Sequence, residues 1–222
     1  MTMEQKAYYL LFLQIYLLQK EYIYLLKNKK ILLATSNKGK IREFKKIFHD
    51  FELISQEELG IDDAVEDGLT FFENALKKAR HASKHSDLFS IADDSGLVVP
   101  DLNYEPGIYS ARYAGIGSTD EENRNKIISE LKNRNEIALS AYYVCVIVGV
   151  RSYDDPIPVY SFGRINGKVS IHSSGDGGFG YDKIFYPENY DVSMASIDAE
   201  VKNTISHRAI ASKLFIKELE SI

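Results

Sequence analysis

At 222 residues and 45% hydrophobic, the chain is long enough for one large α/β domain, or for two lobes sharing a sheet, with a sizeable core. A net charge of −5 argues against a broad nucleic-acid surface, since phosphate-backbone affinity needs a basic face, although a local basic pocket stays open. The single cysteine, Cys145, sits in the apolar run 142–150 and excludes an internal disulfide. With no C-x-x-C or His-rich cluster for structural zinc, any metal here should be a hard, oxygen-seeking one in a reducing compartment.

Residues 1–28 differ in character from the rest. Residues 7–18 are nearly all apolar, Gln19-Lys20-Glu21 interrupts, and 22–26 resume. Charges in mid-stretch oppose a spanning helix, which needs about 20 apolar residues, so stable membrane insertion is not expected. Glu4 beside Lys6, with no A-x-A-like site, fits a signal peptide poorly. An appended helix on the protein or a partner is the first reading, and a membrane-surface helix the second. The division is therefore an extension over 1–28 and one domain over 29–222, with no internal repeat or later boundary.

Residues 31–34 read as a short buried strand running into Thr35-Ser36-Asn37-Lys38-Gly39-Lys40, after which Ile41, Phe44 and Phe48 mark one face of a helix. Strand, polar loop and helix aim free N–H groups and a positive dipole end at an anion, and Lys40 adds a full charge. The Walker A spacing is absent, and an ordinary N-cap by Ser36 or Asn37 explains the loop equally well. A second strand is expected over 51–55, then an acidic loop over 57–68 that carries Glu66. Thr70-x-x-Glu73 is a capping box that opens a helix burying Phe72, Ala75, Leu76, Ala79 and Ala82. Lys77, Lys78 and Arg80 are read as facing solvent by default.

Residues 91–115 organise the rest. A strand ends in Asp93-Asp94-Ser95-Gly96, offering carboxylates where the backbone can turn. Alternation along a strand sends Asp93 and Asp94 to opposite faces and so to different roles. Such a carboxylate suits Mg²⁺ or the orientation of an attacking water. Thr119-x-x-Glu122 opens another helix, with Ile127, Ile128 and Leu131 inside, and 141–150 reads as a central strand. Residues 159–165 and 168–171, joined by Asn166-Gly167, predict a hairpin. The glycine-rich run 175–182 can lie against a flat ligand while Phe179 stacks on it. Ser206 caps a last helix with an apolar face of Ala211, Leu214, Phe215, Leu219 and Ile222. Arg208 in its first turn opposes the helix dipole and needs an anionic or carbonyl partner.

Taken together, these motifs make the chain resemble the inosine/xanthosine triphosphate pyrophosphatases, over roughly residues 30–220. The carriers are Thr35, Asn37 and Lys40; Glu73-Asn74-Ala75 with Lys78-Ala79; residues 93–97; residues 106–113; residues 177–182; and Ser206-His207-Arg208. The family carries proline after Gly-Tyr-Asp, where Lys183 stands here. The resemblance implies an α/β fold with an elongated mixed sheet, flanking helices and two lobes around a nucleotide cleft. It implies hydrolysis of non-standard purine triphosphates (ITP, dITP, XTP) to monophosphate and pyrophosphate; a nucleotide-binding regulator without hydrolysis is the alternative. By the same resemblance Asp94 is the catalytic base, and Glu66 and Asp94 hold Mg²⁺. Thr35, Ser36, Asn37, Lys38, Gly39, Lys40, Ser95, Phe179, Gly180, Tyr181, Asp182, Lys202, His207 and Arg208 hold the nucleotide. A cytoplasmic homodimer that binds no nucleic acid is expected.

Overall fold

The computed structural model describes residues 30–220, so the reading of 1–28 as an extension lies outside the described residues. Strands β1 (Lys30–Leu33), β2 (Glu52–Ser55), β3 (Ser90–Val98), β4 (Ala138–Val150), β5 (Val159–Ser170) and β6 (Phe185–Pro187) form one mixed sheet in the order β2-β1-β3-β4-β5-β6. β1 pairs parallel with β2 and β3, and every later pairing is antiparallel. Among the described residues five α-helices accompany it: α1 (Lys38–Ile47), α2 (Phe71–Ser86), α3 (Asp120–Asn133), α4 (Ala199–Ile205) and α5 (His207–Leu219). This is the expected elongated mixed α/β architecture.

Alternation along the strands sorts the core. Ile31, Leu33 and Ile91 pack with Phe44 and Phe48 of α1 and Phe215 of α5 on one face. Leu32, Ala34 and Ala92 pack with Ala75, Ala79 and Ala82 of α2 on the other. Leu97, Tyr143, Val169 and Phe185 gather with Ile127 and Leu131 of α3 into a further cluster at the far end of the sheet. The cleft lies where the β1–α1 end of the sheet meets this further cluster, lined by Thr35 and Lys40 on one side and Leu97, Tyr143 and Tyr181 on the other.

Register explains why a site forms there. β1 ends at Leu33, opposite Ile91, whereas β3 runs on to Val98. Past Ile91 that edge of β3 has no β1 neighbour, and β1 is also where the order 2-1-3 changes direction. Ligands of open α/β sheets bind outside the strand ends at such a switch point.

The predicted hairpin at Asn166-Gly167 does not exist. β5 passes straight through both residues, paired to β4 from Val159 to Ser170. The long partner strand overrides the local turn preference, and β6 pairs at Gly167. A methyl on Gly167 would overlap the Tyr186 carbonyl and lie 2.8 Å from Phe185. The glycine serves close strand approach rather than a turn. On α5, Leu214 is exposed instead of inward-facing, while Ala211, Phe215 and Leu219 are buried as expected.

Candidate active site

The two faces of β3 give the adjacent aspartates separate surroundings. Asp93 shares the face of Ile91 and meets α1 and α5; Asp94 shares the face of Ala92 and meets α2. Asn74 donates to Asp94 Oδ2 at 3.1 Å, and Lys78 Nζ lies 3.6 Å from Asp94 Oδ1 and 2.7 Å from Glu66. Burial raises the pKa of Asp94 and Glu66 adds to it, against Lys78 and Lys40. Glu66 itself is lowered: burial opposes its charge, but Lys78, Lys40 and Arg112 more than offset this. Lys78 is thus buried between two carboxylates, not solvated as its neighbours in sequence suggested. Lys77 does stay outside, paired to Asp67.

Asp93 is fully buried and holds Lys40 Nζ at 3.1 Å and Arg208 Nη2 at 3.0 Å. Its carboxyl is far below the usual range: burial works against the charge, and Lys40, Arg208 and Lys78 overcome it. From there charges alternate across the cleft floor. Arg208 pairs with Glu43, Glu43 with Lys202 at 2.8 Å, and Lys202 with Asp182 at 2.6 Å. Arg208 Nη2 also donates to Ser95 Oγ at 2.8 Å. The cation that faced an unfavourable dipole therefore has Asp93 and Glu43 as partners, which hold its pKa above the ordinary value despite burial.

A cavity of ≈ 520 Å³ opens over these groups. Its walls bring together Thr35, Ser36, Asn37, Lys40, Glu66, Asp94 and Ser95 with Phe179, Gly180, Tyr181, Asp182, Lys202, His207 and Arg208. Two of the expected nucleotide contacts are not on its wall. Lys38 is exposed on α1, and Gly39 lies behind the wall, where a methyl would come within 2.8 Å of the Phe179 ring. Of the two candidates for capping α1, it is Asn37 that accepts from Lys40 N at 3.1 Å, while Ser36 donates to Asp63. His207 stacks on Tyr143, centroids 4.6 Å apart and 7° from parallel. Burial, then Arg208 and Lys202, push its pKa well below 6.5. Lys183, standing where the family has proline, lies 3.8 Å from Asp176, away from the cavity wall.

Three buried polar atoms at this floor, Asp93 Oδ1, His207 Nδ1 and Arg208 Nε, have no hydrogen-bond partner. Glu43, Arg112, Asp120 and Tyr143 also belong to the site and escaped the sequence reading. Glu43 had a signal: three residues beyond Lys40, it lies on the same helix side. Arg112, 3.5 Å from Glu66, lies in the 106–113 motif but without an assigned role, and Tyr143 had no signal, since its partner is distant in sequence.

A hard divalent cation fits Glu66 and Asp94. Both are oxygen donors close enough to influence each other's charge, and Mg²⁺ often takes one or two carboxylates with phosphate and water completing its shell. Among the described residues no cluster of three His, Cys, Asp or Glu forms an all-protein cage.

Residues 31–218 match the Ham1 family model. The chain is similar to a dITP/XTP pyrophosphatase of Legionella pneumophila (strain Lens), 48% identical over 82% of this chain and 94% of that one. It is similar also to one of Escherichia coli O157:H7, 44% identical over 87% and 99%. Among solved structures, a HAM1 protein from Coxiella burnetii aligns with a TM-score of 0.79 at 38% identity, over 87% of this chain and 99% of that one. The Staphylococcus aureus Ham1 protein aligns at 0.75 and 42%, with the same coverage. With a family match over most of its length and relatives well above 40% identity, the chain belongs to the Ham1 family.

Proposed function

We propose that this protein hydrolyses non-standard purine nucleoside triphosphates (ITP, dITP and XTP) to the monophosphate and pyrophosphate. The observation that carries the reading is the polarity of one cavity. Lys40, the α1 N-terminus and Lys78 beside two carboxylates share its wall with Phe179, His207, Arg208 and Lys202. A triphosphate suits the first set and a purine the second. The matched relatives from Legionella pneumophila and Escherichia coli are named dITP/XTP pyrophosphatases.

Glu66 and Asp94 would hold Mg²⁺, which when bound supplies charge neutralisation to the phosphates. Water attacks the α-phosphorus, its oxygen forming the new P–O bond as the bond to the bridging oxygen breaks. Asp94 takes the water's proton, as the buried carboxylate beside Lys78 and Glu66 on the cavity wall. Lys40 and the first N–H groups of α1 stabilise the charge that develops on the departing pyrophosphate. Phe179 stacks on the base, and donors among His207, Arg208 and Lys202 meet the 6-keto oxygen. An adenine amino group would face those donors with a donor of its own, and such sites discriminate by up to ~10⁴-fold.

The same reading makes the protein a cytoplasmic homodimer that binds no nucleic acid. Its acidic charge supports the absence of a nucleic-acid surface, its one cysteine, Cys145, is buried with no partner for a disulfide within the chain, and among the described residues no helix is long and apolar enough to cross a membrane. The test is turnover of ITP, XTP, dITP, GTP and ATP with Mg²⁺, following pyrophosphate and orthophosphate separately. Pyrophosphate from the first three, abolished by a chelator, is expected. Orthophosphate as the primary product rejects the cleavage site, and nucleotide binding without turnover favours a regulator.

A further inference from the structure

Phe179 sits between two glycines in the left-handed region, Gly178 at φ +71° and Gly180 at φ +60°. Glycine backbones on both sides place little steric restraint on the ring, so something else must hold it. On the first side the lock is packing, because a methyl on Gly178 would overlap the Asp182 carboxylate, and Phe179 N donates to that carboxylate at 3.0 Å. On the second side there is open space: nothing lies within 4 Å of a methyl built on Gly180.

What grips Gly180 is its own peptide groups. Its N–H donates to Asp120 Oδ2 at 2.7 Å, and its carbonyl accepts from Arg124 Nη1 at 2.6 Å. Asp120 and Arg124 are four residues apart on α3, hence on one side of the helix. The helix start that carries Asp120 is set by the capping box of Thr119 and Glu122. Asp120 is exposed and Arg124 only half-buried; α3 is anchored to the core instead by Asn123, Ile127 and Leu131. The stability of the fold therefore has little call on this pair, yet both ends of one residue in the cleft loop are held by charge-assisted hydrogen bonds.

We propose that Asp120 and Arg124 are positioning residues: they clamp Gly180 so that Phe179 is preset to receive the nucleobase. This rests on the nucleotide reading above and adds to it how the base-binding loop is ordered before substrate arrives. Preorganisation lowers the cost of binding, so loss of the clamp falls on affinity more than on turnover of bound nucleotide.

The experiment combines hydrogen–deuterium exchange over residues 176–183 with steady-state kinetics on ITP and melting temperatures. The full-length variants are Asp120→Ala, Arg124→Ala, Asp120→Asn and Glu121→Ala. Loss of a charge-assisted bond is expected to raise KM about tenfold in Asp120→Ala and in Arg124→Ala, with faster exchange in the loop. In both, kcat should stay within about threefold and the melting temperature near wild type. Asp120→Asn keeps an acceptor for Gly180 and should recover most of the KM. Glu121→Ala removes the same charge from the first turn without touching Gly180 and should behave as wild type. Unchanged loop exchange with KM within twofold in both alanine variants overturns the clamp. Equal effects of Glu121→Ala and Asp120→Ala also overturn it, by assigning the effect to the helix dipole. Wild-type protein that neither binds nor hydrolyses ITP refutes the nucleotide reading instead, and the exchange data still decide whether the clamp orders the loop.

Discussion

Asp93 and Asp94 are neighbours in sequence with opposite electrostatic fates. Asp93 is held ionised by Lys40 and Arg208, while burial and Glu66 push Asp94 upward. Asp94→Asn keeps the Asn74 contact in outline but removes the basic oxygen, and kcat should fall by roughly 10²–10⁴-fold, the scale of a positioned general base. Asp93→Asn leaves buried Arg208 and partly buried Lys40 short of a counter-charge, so denaturant titration should show a loss on the order of 3–5 kcal/mol. Full activity of Asp94→Asn, with Asp93→Asn folded and inactive, would reverse the roles. His207 supplies a pH dependence. Its folded pKa lies well below the unfolded 6.5, so below that value the unfolded chain binds a proton that the folded one refuses. Stability from this group is complete above pH 6.5 and lost as pH falls, by up to ~1.4 kcal/mol per pH unit until the folded pKa is reached. Urea midpoints at pH 7.5 and 5.5 should differ less in His207→Gln than in wild type; an equal gap in both would mean that burial does not depress the His207 pKa.

At the scale of elements, the site depends on how closely α5 lies on β5. Gly163 makes that approach feasible: a methyl there would overlap the His207 carbonyl oxygen and lie 2.5 Å from the Ala211 nitrogen. Ser161 ties the same surfaces, donating to the Ala211 carbonyl at 2.8 Å. Gly163→Ala should therefore cost about 1–3 kcal/mol by overpacking. Because the first turn of α5 carries His207 and Arg208, the nucleotide KM should rise with it. A variant with wild-type stability and KM would show that the helix shifts without disturbing the floor. Capping is handled locally by contrast: Thr70 with Glu73 and Thr119 with Glu122 both close the boxes their spacing predicts.

For the whole molecule, each charged group of the cleft comes from the span 35–208, and the family match begins at residue 31. We propose that residues 1–28 are an appendage to a nucleotide-hydrolysing domain over 29–222. A protein starting near Lys29 should keep kcat/KM for ITP within about tenfold, or ~1.4 kcal/mol, of the full chain. A folded truncate with a larger loss would make the segment part of the site.

Local chemistry was legible without the fold wherever cause and effect lie within a few residues. Alternation sent Asp93 and Asp94 to opposite faces, T-x-x-E marked two helix starts, and the Gly-Phe-Gly run marked a loop that brings an aromatic ring into the cleft. Family motifs, each short and contiguous, carried the fold class in the same way. What the residues could not specify alone was pairing between distant segments. Asn166-Gly167 has the composition of a turn, yet twelve residues of registry with β4 hold it extended. Lys78 reads as a solvated helix charge until the loop bearing Glu66 folds over it, 2.7 Å away. Glu43 gains its meaning only when α5, 165 residues further on, delivers Arg208. Each of these outcomes turns on burial and on a partner remote in sequence, and both are properties of the packed chain rather than of any segment within it.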